Sequence, residues 1–362
     1  MSRPTVAVFD TKSYDQQFFN MTNADYGFDL RYFEFRVTKE NAVVTEGADC
    51  ACVFVNDQVT AEVVDVFADR GVKLLALRSA GYNHVDLEAL RGRIDIVRVP
   101  AYSPHAVAEH ALALMLTLNR KTHRAYNRTR DSNFAIAGLI GFDMYQRTAG
   151  IIGTGQIGRI MAEILRGMQM RVVVYDPYPN REWAAKWGVE YVKLSELYRQ
   201  SDIISLHCPL TPENVYMINR ASIEQMKPGV MIINTGRGKL IRTEDLLEAL
   251  RSGRIGSAGL DVYEEETHYF FEDHSSNIVT DDNLLRLLAY PNVLVTGHQA
   301  FFTKEALTNI AGVTLENIRM YFDEGRIENG VPDFDAKTGR LKTDQKKEKQ
   351  ADTSSSDNPK DG

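Results

Sequence analysis

Apolar and polar positions alternate along most of the chain, in short apolar runs separated by amphipathic stretches. The runs predict strands at TVAVFD (5–10), ACVFVN (51–56), KLLALRS (73–79) and DIVRVP (95–100). Helical spacing falls between them, as in VTAEVVDVFADR (59–70). A long helix is predicted from Ser103 to about residue 130, with Ser103 as N-cap and Pro104 in the first turn, where its missing N–H costs nothing. A second series follows, with strands at TAGIIG (148–153), RVVVYD (171–176), DIISLHC (202–208), GVMIINT (229–235), GSAGLDVY (256–263) and NVLVTGH (292–298). A last helix spans 303–325. Such alternation predicts α/β layers around mostly parallel sheets, in two domains. The boundaries expected are 1–101 plus 300–334 for one domain and 102–299 for the other, the last helix returning to the first. From 335 to 362 the chain is polar and lysine-rich, has no apolar period, and is expected to be a disordered tail.

Composition changes this picture little: 44% hydrophobic and 25% charged residues suit a globular protein. The net charge of -7 argues against nucleic acid as partner, since a basic surface is what displaces counterions. The run ALALMLTL (111–118) is too short to span a bilayer, and MSRPT has no signal-peptide layout, so a cytoplasmic protein with no membrane partner is expected. Cys50 and Cys52 are too close for an easy disulfide, and with Cys208 they read as buried thiols in a reducing compartment. The histidines show no metal-ligand spacing, so no metal is expected.

GTGQIG (153–158) follows an apolar strand and opens a helix, the context that makes G-x-G-x-x-G a dinucleotide signature. Gly153 permits a tight turn, Gly155 lets a pyrophosphate approach the backbone, and Gly158 lets helix and strand pack closely. The diphosphate then meets free N–H groups at the helix start. Asp176 ends the next strand, placed to bond the ribose hydroxyls, and its charge repels a 2′-phosphate, so NAD is favoured over NADP. Arg181 lies nearby, either softening that preference or simply solvated.

Three ionisable residues follow three successive strands of the second series: Arg237, Glu266 and His298. Ligands of open α/β sheets bind at the carboxyl ends of strands. Arg can hold a carboxylate by two parallel bonds, His can donate a proton near neutral pH, and a carboxylate can orient that His. Separately they also read as a loop cation, a solvated acid and a capped loop histidine. Together they meet the needs of hydride transfer to a 2-keto acid.

Seven segments carry a resemblance: RSAGYNHVDL (78–87), VRVPAYSPHAVAEHA (97–111), GTGQIG, SLHCPLTPEN (205–214), INTGRG (233–238), LDVYEEE (260–266) and TGHQAFFT (296–303). In order and spacing the chain resembles the D-2-hydroxyacid dehydrogenase family, and within it the fermentative D-lactate dehydrogenases. The resemblance implies a flavodoxin-like substrate domain and a Rossmann-like NAD domain, both doubly wound parallel sheets, with a cleft between them. It implies Arg237, Glu266 and His298 as the catalytic residues, the family's D-V-x-E-x-E pattern selecting Glu266 among three adjacent acids. It assigns Gln156, Ile157, Asp176, Cys208, Pro209, Asn214, Thr235, Gly236 and Asp261 to the dinucleotide, and backbone N–H groups around Ala80 and Gly81 to the substrate carboxylate. Gly236 departs from relatives that carry Ser there, which bears on affinity rather than reaction type.

The sequence His298-Gln299-Ala300-Phe301 matches the lactate-type H-x-A-F, and Phe301 with Tyr102 would make a small apolar pocket suited to a methyl group; hinge packing is the other reading of Tyr102. Pyruvate is therefore the expected substrate. Glyoxylate, hydroxypyruvate or phenylpyruvate reduction, or a dinucleotide-sensing scaffold with little turnover, are the alternatives. The long helix resembles the family's dimerisation element, so a homo-oligomer is expected; its Leu and Met stripe also reads as intramolecular core.

Overall fold

The structure, a computed structural model, describes residues 3–331 and the strand residues Phe334–Asp335 and Arg340–Leu341. The chain divides into two units, one formed by residues up to Tyr102 with the chain from Thr303 on, the other by Ser103–Phe302.

The first unit has five strands, β1 (Thr5–Val8), β2 (Asp29–Tyr32), β3 (Cys50–Val53), β4 (Leu74–Leu77) and β5 (Asp95–Arg98), all parallel in the order β2-β1-β3-β4-β5. β3 and β4 are buried along their whole length, as a sheet covered on both faces requires, and so read as unbroken apolar runs. Cys50 and Cys52 are free thiols in this core, and burial pushes the Cys52 thiol up to about 12. The last helix, Lys304–Glu324, is capped by Thr303, whose Oγ1 accepts the Ala306 N–H at 3.2 Å, and packs on β4, β5 and the helix Ser13–Asn23.

The second unit has seven strands: β6 (Thr148–Ile152), β7 (Arg171–Tyr175), β8 (Glu190–Tyr191), β9 (Ile203–Leu206), β10 (Val230–Asn234), β11 (Ile255–Leu260) and β12 (Val293–Val295). They run parallel in the order β12-β11-β10-β9-β6-β7-β8. The order reverses between β6 and β9, and the loops leaving these two strands border the crevice where such sheets bind ligands. Two α/β units with parallel sheets are thus the fold.

The helix predicted over 103–130 is two helices, Pro104–Arg120 and Thr122–Arg130, broken at Lys121, which is left-handed at φ 51°. Its Leu114, Met115 and Leu118 are buried within the second unit against β10, β11 and the helix Gln156–Gly167. The predicted strands run one to three residues past the observed ladders, and edge strand β2 escaped prediction altogether. Ala300–Phe302 go with the second unit, rather than with the first as their place after the last strand suggested. The tail expected over 335–362 lies outside the described residues, except Asp335, Arg340 and Leu341, where Asp335 pairs antiparallel with Arg340 and Leu341 with Phe334. No helix among the described residues is long and apolar enough to cross a membrane.

Candidate active site

Gly153 leaves β6 at φ 93°, and a side chain there would meet the backbone N of Cys208 at 2.6 Å, so the loops after β6 and β9 touch through this glycine. A Cβ on Gly158 would stand 1.9 Å from the Gly153 carbonyl oxygen, which ties the helix start to its strand. Gly155 is different. A Cβ there meets no protein atom within 4 Å, so nothing in the protein's own packing asks for glycine. Gly155 and Gln156 are exposed and Ile157 half-buried at the N-terminus of the twelve-residue helix Gln156–Gly167, the arrangement that receives a diphosphate.

Asp176 follows β7. Its Oδ2 accepts the Thr154 N–H at 2.6 Å and the Thr154 hydroxyl at 3.0 Å, and its Oδ1 accepts the Tyr178 N–H at 2.8 Å. Three donors leave a carboxylate capacity for one more, here a ribose hydroxyl. Arg181 is exposed at the start of the next helix. Across the crevice, Asn214 organises the loop after β9: its Nδ2 donates to the Pro209 carbonyl at 2.7 Å and its Oδ1 accepts the Thr211 N–H at 2.8 Å. Cys208 is half-buried beside Asn214 and Met217, and burial pushes its thiol up to about 11. His207, bonded to Ser205 Oγ at 2.8 Å, is pushed down to about 4 by burial and is neutral at physiological pH. Beyond β10, the buried Thr235 hydroxyl has no hydrogen-bond partner among the described residues. A glycine cradle open to solvent, an oriented acid and an orphaned buried hydroxyl are the features that an NAD molecule would complete.

The loop after β10 presents Arg237. Buried Asn234 holds it, accepting the Gly236 N–H and donating to the Arg237 carbonyl, both at 3.0 Å. The half-buried guanidinium donates to the Gly236 carbonyl at 2.8 Å and pairs with no acid among the described residues, so it remains available to a ligand carboxylate. A Cβ at Gly236 would meet its nearest neighbours at 3.5 Å, an ordinary contact, so the Ser of relatives fits here too.

Glu266 and His298 meet. His298 Nδ1 lies 2.9 Å from Glu266 Oε1, while Oε2 accepts the Tyr263 N–H at 2.9 Å. Of the three adjacent acids only this one reaches the histidine: Glu264 turns back to the Thr243 N–H at 3.2 Å, and Glu265 is exposed. His298 itself is left-handed at φ 54°. The fully buried Asp261 fixes that conformation: its carbonyl accepts the His298 N–H at 2.8 Å, and its carboxylate accepts the Gln299 N–H at 2.9 Å, the Ala300 N–H at 2.8 Å and the Thr296 hydroxyl at 2.5 Å. His110 Nε2 adds a contact to Thr296 Oγ1 at 3.1 Å. The sequence reading gave Asp261 only to the dinucleotide; this web makes it a positioning residue for the His298 loop. Its signal was an acid inside an apolar strand end, GLDV. These same bonds keep Ala300–Phe302 with the second unit.

Phe301 is buried next to this loop. Ala80, Gly81 and Tyr102 belong to the first unit. There the Ala80 carbonyl accepts from Arg98 at 2.7 Å and the Gly81 carbonyl from Ser79 Oγ at 2.9 Å, whereas their N–H groups meet no protein acceptor among the described residues. The Tyr102 carbonyl accepts from Asn309 at 2.7 Å.

Residues 112–300 match the NAD binding domain of the D-isomer specific 2-hydroxyacid dehydrogenases. The chain is 52% identical to the D-lactate dehydrogenase of Escherichia coli K12 over 314 residues, 86% of this chain and 95% of that protein. The apo structure of the Escherichia coli D-lactate dehydrogenase superposes with a TM-score of 0.83 at 48% identity, covering 90% of this chain and 99% of that one. The pyruvate reductase of Chlamydomonas reinhardtii gives 0.85 at 43% identity, covering 91% and 98%. With a glycine cradle and acid suited to NAD, and a family match across the unit that carries them, the chain belongs to the D-isomer specific 2-hydroxyacid dehydrogenases and is an NAD-dependent oxidoreductase of that family.

Proposed function

We propose that this enzyme interconverts pyruvate and D-lactate. The observation that carries the reading is the His298–Glu266 pair at 2.9 Å, with the Phe271 ring 5.7 Å from the imidazole. The similarity to proteins named D-lactate dehydrogenase and pyruvate reductase supports it. Gly153, Gly155, Gln156, Ile157, Gly158, Asp176, Cys208, Pro209, Asn214, Thr235 and Gly236 are the residues that would hold NAD, which in its reduced form would supply the hydride for the keto carbon. Arg237 clamps the substrate carboxylate by charge-assisted bonds and polarises the carbonyl. His298 gives its proton to the carbonyl oxygen, and Glu266 holds the imidazole with Nδ1 protonated so that Nε2 faces that oxygen. In the reverse direction His298 takes the hydroxyl proton. Phe301 accepts the methyl group. Three free thiols suit work in the reducing cytoplasm.

The test is the loss of NADH absorbance with pyruvate, glyoxylate, hydroxypyruvate and phenylpyruvate, repeated with NADPH and followed by chiral analysis. Highest kcat/KM with pyruvate and NADH, yielding D-lactate, is expected. Preference for another acid overturns the substrate, and turnover of none of them overturns the enzymatic reading in favour of a dinucleotide-binding scaffold.

The enzyme is also proposed to be a homo-oligomer built on dimers. Phe134, Ile136, Ile140 and Tyr145 are 77%, 83%, 85% and 55% exposed within one segment after the helix Thr122–Arg130. Such a run of exposed apolar side chains marks a protein–protein surface. Sedimentation equilibrium should give a multiple of the 40.8 kDa chain mass, and Ile136→Asp with Ile140→Asp should lower it; a monomeric wild type overturns the proposal.

A further inference from the structure

We propose that Phe271 is a specificity-determining residue of this site, limiting with Phe301 the side chain of the 2-keto acid accepted beside His298. The inference rests on the reading of His298 as the proton donor. The Phe271 ring lies 5.7 Å from the His298 imidazole, inclined at 37°, and 6.5 Å from the Phe301 ring. Two wholly apolar rings, Phe271 next to the imidazole and Phe301 next to Phe271, thus follow one another from the acid–base pair.

Phe271 holds this place against its backbone preference. Its φ is 69°, a region that bulky residues rarely adopt, and such strain persists only where the surroundings over-determine it. Those surroundings start at the catalytic acid. The Glu266 carbonyl accepts the N–H groups of Tyr269 at 3.0 Å and Phe270 at 2.8 Å, and Phe270 is buried in the same apolar core as Tyr263. Tyr263 in turn donates its hydroxyl to Asp281 at 2.8 Å, tying the start of the 264–280 segment to its far end. Glu266 and Phe271 therefore ride on one anchored segment, and the wall moves with the acid–base pair.

The chemistry follows from the carbonyl carbon. With its oxygen at His298 and its carboxylate at Arg237, the one remaining substituent is the acid's side chain. A methyl fits beside a phenyl ring, and each added methylene must displace one. One methylene in an apolar pocket is worth about 10- to 200-fold in discrimination.

The experiment compares kcat/KM with NADH for pyruvate, 2-oxobutanoate, 2-oxopentanoate and phenylpyruvate in the wild type, Phe271→Leu, Phe271→Ala and Phe271→Gly. The ratio of 2-oxopentanoate to pyruvate should rise by about tenfold or more in Phe271→Ala and less in Phe271→Leu. Phe271→Gly removes the ring and relieves the backbone together, so the same rise there assigns the effect to ring volume. A role confined to packing would lower every acid by one factor; an unchanged ratio in Phe271→Ala and Phe271→Gly overturns the proposal. The ratio is read against the wild type's own, so a wild type that prefers another acid overturns the pyruvate reading without touching this one.

Discussion

Replacing His298 by Asn should lower kcat for pyruvate reduction by about 10²- to 10⁴-fold, the usual worth of a positioned general acid, while leaving NADH binding intact. Asn is the informative substitution because His298 sits at φ 54°. Asn visits the left-handed region readily, whereas Ala there would add backbone strain and mix two effects. The loop is fixed by backbone groups rather than by the imidazole: Asp261 receives the N–H groups of residues 298, 299 and 300 whatever side chain 298 carries. The variant should therefore fold, bind NADH with unchanged affinity by fluorescence titration, and fail in turnover. A His298→Asn enzyme with wild-type kcat would sink the assignment.

Glu266→Gln should cost less, about 10- to 100-fold, the range for one hydrogen bond to a charged group. Its single amide oxygen can accept from Nδ1 or from the Tyr263 N–H but not from both, because Oε1 takes the one and Oε2 the other, so the charge and one of the two bonds are lost together. Glu264→Gln should change turnover little, because that carboxylate faces Thr243. Comparing these two neighbours tests the choice among three adjacent acids that the residue pattern could not make unaided.

How far such details are legible depends on which force sets them. The NAD loop was fully readable, because steric exclusion at Gly153 and Gly158 and open space at Gly155 are each written as a glycine. The buried strands were readable as apolar runs, but not their ends: Phe9 and Phe54 stay buried beyond β1 and β3, so hydrophobicity continues after the ladder stops. β2 was missed because it is an edge strand whose Asp29 and Arg31 face outwards, a pattern shared with any polar loop. The break at Lys121 was invisible because helical apolar spacing runs up to it and no proline or glycine marks it. Among the candidate site residues, Arg237, Glu266 and His298 could be singled out by their chemistry, whereas the support that Asp261 gives the His298 loop, and the parts of Asn234 and Phe271, could not. Asp261 and Phe271 act through partners 27 to 39 positions away, and Asn234 through backbone groups two and three residues on, and neither spacing nor composition records either.

Arg237→Met should lower kcat/KM for pyruvate by on the order of 10²- to 10³-fold, since an unpaired carboxylate would then enter a partly buried site. The substitution tests the guanidinium alone. Asn234 fixes the loop through the Gly236 N–H and the Arg237 carbonyl, both backbone groups, so Met leaves the turn and the Thr235–Gly236 segment in place. The split between constants then separates the two tasks given to Arg237. Binding the carboxylate equally in ground and transition states would raise KM and leave kcat alone, whereas polarising the carbonyl as charge develops would lower kcat as well. Both should move. Arg237→Lys should fall between, because an ammonium keeps the charge but not the planar pair of donors that matches a carboxylate. Equal kcat/KM in Arg237→Met and wild type would remove Arg237 from the reaction. A Lys variant no better than Met would show that the fork geometry, rather than the positive charge, is what the carboxylate reads.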